Sequence, residues 1–338
     1  MQSILISEFI CSGALTGISL PESLAREGLG MLRAVCADAV NSSKFKVYTT
    51  IDHRLKLNIS EVHCTEVFSE DDEWLQFQKL AKLCDLTLVI APEFNKILLD
   101  RVQWLVDNNC RHCLSDPHFI ERTSNKLEFA NWAVPEDIPT PRTLRIDLHE
   151  ISLKHEHAMG FHYPLIIKPQ WGAGAMATAL LLSDEDFSQF RNENLQSEYG
   201  PFLIQPYYEG IPLSLSCIRN PANQSITWTP LGRQEFNGLR YLGGTISFAC
   251  EVEKSAFDIS EKVVRQHPGL NGWIGFDFLF CHDRDEPMVL LEVNPRLTTS
   301  YLGYRQLTQS NLAAIMLGCE SDSPIEWSNQ PIQFRLES

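Results

Sequence analysis

Short apolar runs alternate with longer amphipathic stretches through the first third of the chain. ILISEF (4–9), FKVYTTID (45–52) and DLTLVIAPE (85–93) have the length and continuity of buried strands. Residues 21–40, 71–84 and 94–108 place apolar side chains at helical spacing, and the second of these stretches has an acidic first turn that suits the helix dipole. Strands alternating with helices predict a parallel, doubly wound sheet. The pattern changes near residue 116. One helix is expected over DPHFIERTSNKLEFANWA (116–133), starting at an acidic N-cap and Pro117, and a proline-punctuated connector (134–144) leads into another strand. Beyond it, strands are expected at 164–168, 176–182, 201–206, 213–219, 225–230 and 240–249. A helix near 256–267, strands at 273–281 and 288–294, and a C-terminal helix from Arg305 complete the reading.

Several of these strands carry polar groups that packing does not need. In VLLEVNPR, Glu292 and Asn294 lie two apart and share one face, with Val293 on the other. The preceding strand, WIGFDFLF, can bring Asp277 opposite them through the turn CHDRDEP. Two carboxylates and an amide are a hard, all-oxygen set that suits Mg²⁺ shared with phosphate oxygens; a solvated face on an edge strand would look the same. In YPLIIKPQWGAGAMATALL (163–181), Lys168 ends an apolar strand. Gly172 and Gly174 then allow the backbone to approach a ligand, although an ordinary hairpin with a snorkelling lysine fits too. The segment lacks the Walker A spacing, and no helix opens after it as a dinucleotide fingerprint requires. Lys126 stands on the 116–133 helix, where a surface lysine is the plain alternative. FLIQPYYEG breaks an apolar strand at Gln205, Pro206, Tyr207, Tyr208 and Glu209, which makes either a hinge with aromatic walls or a core strand with its turn.

Composition narrows the classes. The 338-residue chain carries a formal charge of −15 and no basic patch, which argues against nucleic acid as a partner. No apolar run approaches membrane-spanning length, and MQSILISEFICSG lacks the positive start of a signal peptide, so a cytoplasmic protein without a membrane partner is expected. The ten scattered cysteines fit a reducing compartment, and Cys110 and Cys113 form a lone CxxC with no second pair. His149, His155, His157 and His162 cluster in a polar connector without metalloprotease spacing.

The order of these features resembles the ATP-grasp superfamily over residues 115–305: a lysine on a helix, a lysine before a small-residue loop, a Gln-x-Tyr hinge, then Asp followed by Glu-x-Asn-Pro-Arg. The resemblance implies a Rossmann-like pre-ATP-grasp domain (1–115), a central lid with the glycine-rich loop (116–200) and a C-terminal α+β domain with the metal site (201–330). It implies ATP with one or two Mg²⁺. Lys126 and Lys168 would meet phosphates with the loop of Gly172 and Gly174, and Gln205, Tyr207, Tyr208 and Glu209 would line the nucleotide. Asp277, Glu292 and Asn294 would hold metal, and Arg296 with Lys168 would act in catalysis. The chain departs from the pattern where many relatives place an acidic ribose contact, since Pro212 stands there. ISEFICSGAL, SLAREGLGMLRAVCADA and NPRLTTSYLGYRQ are similar to the tyramine–glutamate ligases, which serve methanofuran synthesis, with methylofuran as the bacterial counterpart.

The implied reaction joins a carboxylate to an amine, both amino-acid-like small molecules, through an acyl phosphate. Arg233, Arg240, Thr298, Thr299 and Ser300 are the substrate candidates, with a solvated loop as the other reading of the two arginines. A homodimer is left open. Two other classes stay in view: a non-catalytic nucleotide-binding regulatory protein, and a nicotinamide-dependent oxidoreductase. The second is weakened because CSGALTG lacks the glycine fingerprint.

Overall fold

The fold is described from a computed structural model covering residues 1–149, 159–172, 174–197, 199–248, 252–319 and 324–335. His155, His157 and Ala173 lie outside the described residues, as does the end of the strand expected at 240–249.

The front third forms a four-stranded parallel sheet in the order β3-β2-β1-β4. Its strands are β1 (Gln2–Glu8), β2 (Phe45–Asp52), β3 (Val62–Val67) and β4 (Leu86–Ile90). Helices α1 (Glu22–Asn41), α2 (Glu70–Leu83) and α3 (Ile97–Asp107) connect or follow them. Strand β3 was not foreseen: VHCTEV has no apolar run, because as an edge strand it is buried fully only at Val67. The carboxyl ends of β1 and β4 carry Glu8 and, through Ala91-Pro92, Glu93.

The expected helix over 116–133 is two helices, α4 (Pro117–Ser124) and α5 (Lys126–Ala133). Asp116 caps the first through Phe119 N–H. Asn125 breaks the run, with φ −91° and ψ 98°, and its side chain accepts from the Leu127 and Glu128 amides to start the second. An antiparallel sheet follows in the order β5-β8-β6-β7, made of β5 (Leu144–Ile146), β6 (Leu165–Pro169), β7 (Ala179–Leu181) and β8 (Phe202–Pro206). Helix α6 (Asp184–Asn194), capped by Ser183, buries only Phe187 and Phe190 against it, and that sparse apolar stripe explains why periodicity missed it.

The rear sheet contains β9 (Ile211–Arg219), β10 (Ile226–Trp228), β11 (Gly232–Asn237), β12 (Arg240–Ile246), β13 (Gly272–Phe280), β14 (Met288–Asn294) and β15 (Ile332–Arg335). Its order is β14-β13-β9-β11-β12-β15, with β10 beside β9. Helix α7 (Glu253–Arg265) packs its apolar side into the core beneath. The C-terminal helix expected from about Arg305 is instead two short ones, α8 (Tyr301–Tyr304) and α9 (Leu312–Met316). Arg305 ends α8 and pairs with Asp38 of α1, which also accepts a hydrogen bond from the Tyr301 hydroxyl. Tyr301, Tyr304, Leu312 and Met316 join the front domain's core, so this segment bolts the front sheet to the rear one. Among the described residues, no helix is long and apolar enough to cross a membrane.

Candidate active site

Two ammonium groups converge on one carboxylate oxygen. Lys168 Nζ lies 3.3 Å and Lys126 Nζ 3.5 Å from Glu292 Oε1. Three elements build this contact. Lys168 sits near the end of β6, opposite Leu203 of β8. Lys126 is the first residue of α5, and its amide donates to Gln170 O just beyond β6. The Gln170 side chain donates back to Asn125 Oδ1 at 2.8 Å in a buried contact. One asparagine therefore caps a helix, breaks the chain and ties the two lysines to a common frame. Asn125→Ala removes the cap and leaves the buried Gln170 amide without its acceptor. Thermal unfolding is expected to register a loss of roughly 2 kcal/mol; an unchanged melting temperature would mean the frame does not rest on Asn125.

On the rear sheet, Asp277 and Glu292 are register partners on β13 and β14, with a bulge beside Asp277. Val293 faces the apolar core, as alternation requires. Asp277 accepts from Asn294 Nδ2 on one oxygen and from Gln234 Nε2 on the other, each at 2.7 Å. Burial, and next the Glu292 charge, push the Asp277 carboxyl up to about 6, although both amide donors oppose the shift. Burial alone would raise Glu292 as well, but the Lys126 and Lys168 charges outweigh it and hold that carboxyl below its ordinary value. Burial, with repulsion from Lys126, pulls the Lys168 ammonium down, against the attraction of Glu292. Like charges thus press together within each pair, Asp277 with Glu292 and Lys126 with Lys168.

The glycine-rich loop closes one side. Lys126 Nζ donates to Gly172 O at 2.8 Å. Gly174 has φ +64°, and a side chain there would meet Leu24 of α1 at 3.1 Å. Trp171 lies under Lys96 of the front domain, with its ring centre 6.0 Å from Nζ. At the hinge, Gln205 is buried and donates to Thr143 Oγ1, while Tyr207 N–H donates to Pro164 O. Tyr207 and Glu209 are exposed, and Tyr208 has Arg284 stacked 4.1 Å from its ring centre. Gly210 passes so close to Phe280 O that a Cβ would lie 2.5 Å from it.

The remaining expected residues divide. Arg296 Nε and Nη2 donate to the two oxygens of Glu93 at 2.8 and 3.0 Å. Thr298 Oγ1 accepts from Trp273 Nε1 and shares a hydrogen bond with Ser300 Oγ, so these hydroxyls brace the backbone after β14. The Thr299 side chain hydrogen-bonds the hydroxyl of the half-buried Tyr241. Arg233 is exposed over Phe248, and Arg240 is exposed at the β11–β12 turn. Gln234, the neighbour of Arg233 on the other face of β11, is the side chain that reaches Asp277. Neither Gln234 nor Glu93 was singled out from sequence. Strand alternation would have placed Gln234 only if β11 had been recognised, and Glu93 stood at the end of an expected strand without further signal.

The donor set fits a hard divalent cation. Asp277 and Glu292 are neighbouring carboxylates, Asp277 is half-buried with two amide donors on its oxygens, and Asn294 uses its amide nitrogen on Asp277, which leaves its carbonyl oxygen as a further oxygen donor. Among the described residues no group of three or more His, Cys, Asp or Glu side chains could hold a metal by itself, so such an ion would need oxygens from another source, as Mg²⁺ beside phosphates does.

A family model of the ATP-grasp domain matches residues 123–300, just over half of the 338 residues. A model of the pre ATP-grasp 3 domain matches residues 45–118. The tyramine–L-glutamate ligase of Methanocaldococcus fervens is 30% identical over 136 residues, 40% of this chain and 41% of that protein. The ligase of the same name from Methanocaldococcus jannaschii is 26% identical over 136 residues, 40% of this chain and 42% of that one. The matched stretch therefore spans two fifths of the length of these relatives. An ATP-grasp superfamily protein from Archaeoglobus fulgidus superposes with a TM-score of 0.70 at 20% identity, covering 95% of this chain and 90% of that one. N5-carboxyaminoimidazole synthetase from Staphylococcus aureus, complexed with ADP, superposes with a TM-score of 0.74 at 15% identity, covering 98% and 80%. These superpositions establish likeness of fold.

Proposed function

The chain belongs to the ATP-grasp domain family, and from that premise we propose that it is an ATP-dependent carboxylate–amine ligase. The observation that carries this reading is the pair of ammonium groups sharing Glu292 opposite Asp277 and Asn294, a site built to take a polyanion together with a cation. A triphosphate with Mg²⁺ relieves the repulsion on both sides at once.

In this proposal Lys126 and Lys168 leave Glu292 for phosphate oxygens, and their charges offset what accumulates during phosphoryl transfer. Asp277, Glu292 and Asn294 would hold one or two Mg²⁺, which supply charge neutralisation and alignment of the phosphates. The substrate carboxylate attacks the γ-phosphorus, the bond to the bridging oxygen breaks, and ADP leaves an acyl phosphate. The amine then attacks the acyl carbon, phosphate departs and the amine proton goes to phosphate or water. The glycine-rich loop, whose Gly174 passes beside Leu24 of α1, would keep water from the intermediate. The rings of Tyr207 and Tyr208 and the buried Gln205 strand end line the adenine, since the Tyr207 amide is already engaged by Pro164. Glu209 takes the ribose role that Pro212 cannot fill. Thr298, Thr299 and Ser300 would shape the substrate end, and the exposed Arg233 and Arg240 are the guanidinium groups that would receive a substrate carboxylate.

The relatives named for joining tyramine to L-glutamate suggest the first substrates to try. With Mg²⁺, ATP, L-glutamate and either tyramine or tyrosine, ADP and phosphate release is expected only when acid and amine are both present. AMP and pyrophosphate would rule out the acyl phosphate. Tight ATP binding with no turnover across a wide panel of acids and amines would favour a nucleotide-binding regulatory protein instead.

A further inference from the structure

Arg296 is held in a particular way. Its guanidinium has five N–H groups in a fixed fork. Nε and Nη2 grip the two oxygens of Glu93, and Nη1 donates to Leu297 O at 3.3 Å. What remains is one N–H on each terminal nitrogen, the end-on edge, whose two parallel donors match a carboxylate or a phosphoryl group. Glu93 comes from the front domain and is 4% exposed, whereas Arg296 follows the metal-site strand β14 in the rear domain. Asp277 lies within electrostatic reach of the guanidinium. Two further front-domain carboxylates, Glu8 and Glu27, also act on its charge. A guanidinium needed only for its charge would not be clasped by an opposing carboxylate. One needed for direction would, because the side-on clasp leaves a single edge to present.

We infer that Glu93 is a positioning residue: by clasping the side-on edge of Arg296 it aims the end-on edge at the reacting anion, and so makes the front domain part of the active site. The anion is a planar or tetrahedral oxyanion, supplied either by the substrate carboxylate or by the transferring phosphoryl group. This rests on the ligase reading above.

Glu93→Gln and Glu93→Asp test it in the full chain, with KM measured separately for L-glutamate and ATP and binding of each measured by calorimetry. Glu93→Asp keeps the charge and shifts the clasp by one methylene, so it separates aim from neutralisation. For both variants a rise of roughly 10-fold in KM and Kd for one ligand is expected, with the other held near the wild-type value. A rise for L-glutamate identifies the carboxylate, and a rise for ATP identifies the phosphoryl group. Unchanged constants for both ligands in a folded Glu93→Asp protein, whatever its melting temperature, would overturn the inference and leave the pair as a structural strut. If wild type binds a ligand without releasing ADP, the ligase reading fails on its own, and weaker binding by the variants still supports the positioning role. Wild-type turnover with unaltered variants sinks the positioning role alone.

Discussion

Glu292→Gln is expected to fold, to bind nucleotide and to lose turnover by about 10³-fold or more, the scale seen when a preorganised charge at the transition state is removed. Glu292 already has a task before any ligand arrives. It is the shared counter-ion of Lys126 and Lys168, whose side chains are each 10% exposed, while its own is 30% exposed toward the cleft. Without the carboxylate, two poorly hydrated ammonium groups face each other unpaired. Breaking such a pair destabilises by roughly 3–5 kcal/mol when both partners are buried, so the ligand-free variant should melt earlier than wild type. Phosphate oxygens supply the missing anion. ATP in EDTA should therefore bind the variant at least as tightly as wild type and restore much of its melting temperature, even though the reaction stays blocked. Calorimetry with and without Mg²⁺, beside an ADP-release assay, separates these effects. Full turnover by the variant, or weakened metal-free ATP binding, would take Glu292 out of the role assigned to it.

The parts of this site visible in the sequence are those fixed by local geometry. Alternation along β14 put Glu292 and Asn294 on one face, and a short acidic turn brought β13 back, so the three candidate oxygen donors could be read from residues 277–294. The break at Asn125 was less visible, because the apolar spacing of α4 continues into α5 and only the cap chemistry divides them. Three omissions have separate causes. Strand β11 is half exposed and carries mostly polar residues, so the nearby arginines drew attention and Gln234 did not. Glu93 gains its meaning from Arg296, 203 positions away, and no periodicity reports a contact of that separation. Residues 301–316 fail to form one long helix because Tyr301, Tyr304 and Leu312 are drawn into the front domain's core, where packing overrides helical propensity.

Asp277→Asn should stabilise the ligand-free protein while abolishing activity, and the sign follows from its titration. The carboxyl is raised from 3.8 to about 6, chiefly by burial and then by Glu292. A folded carboxyl with a raised pKa favours the folded state while it is protonated. That contribution is complete below about pH 4 and is lost as the pH rises through about 6, because the unfolded chain then ionises more readily than the native one. At pH 7 the native protein therefore carries a strained carboxylate, a burden on the order of 2–3 kcal/mol. Asparagine cannot ionise. It still accepts from Gln234, and Asn294 can turn its amide over to accept from the new amide nitrogen. The variant should melt a few degrees above wild type at pH 7 in EDTA, and the gap should narrow as the pH falls from 7 toward about 4. Mg²⁺ with ATP should reverse the order, since the strain is relieved in wild type by the cation and the variant has lost a ligand for it. Equal melting temperatures across that pH range, or a variant protected by Mg²⁺ and ATP as fully as wild type, would mean that Asp277 is neither strained nor a metal ligand.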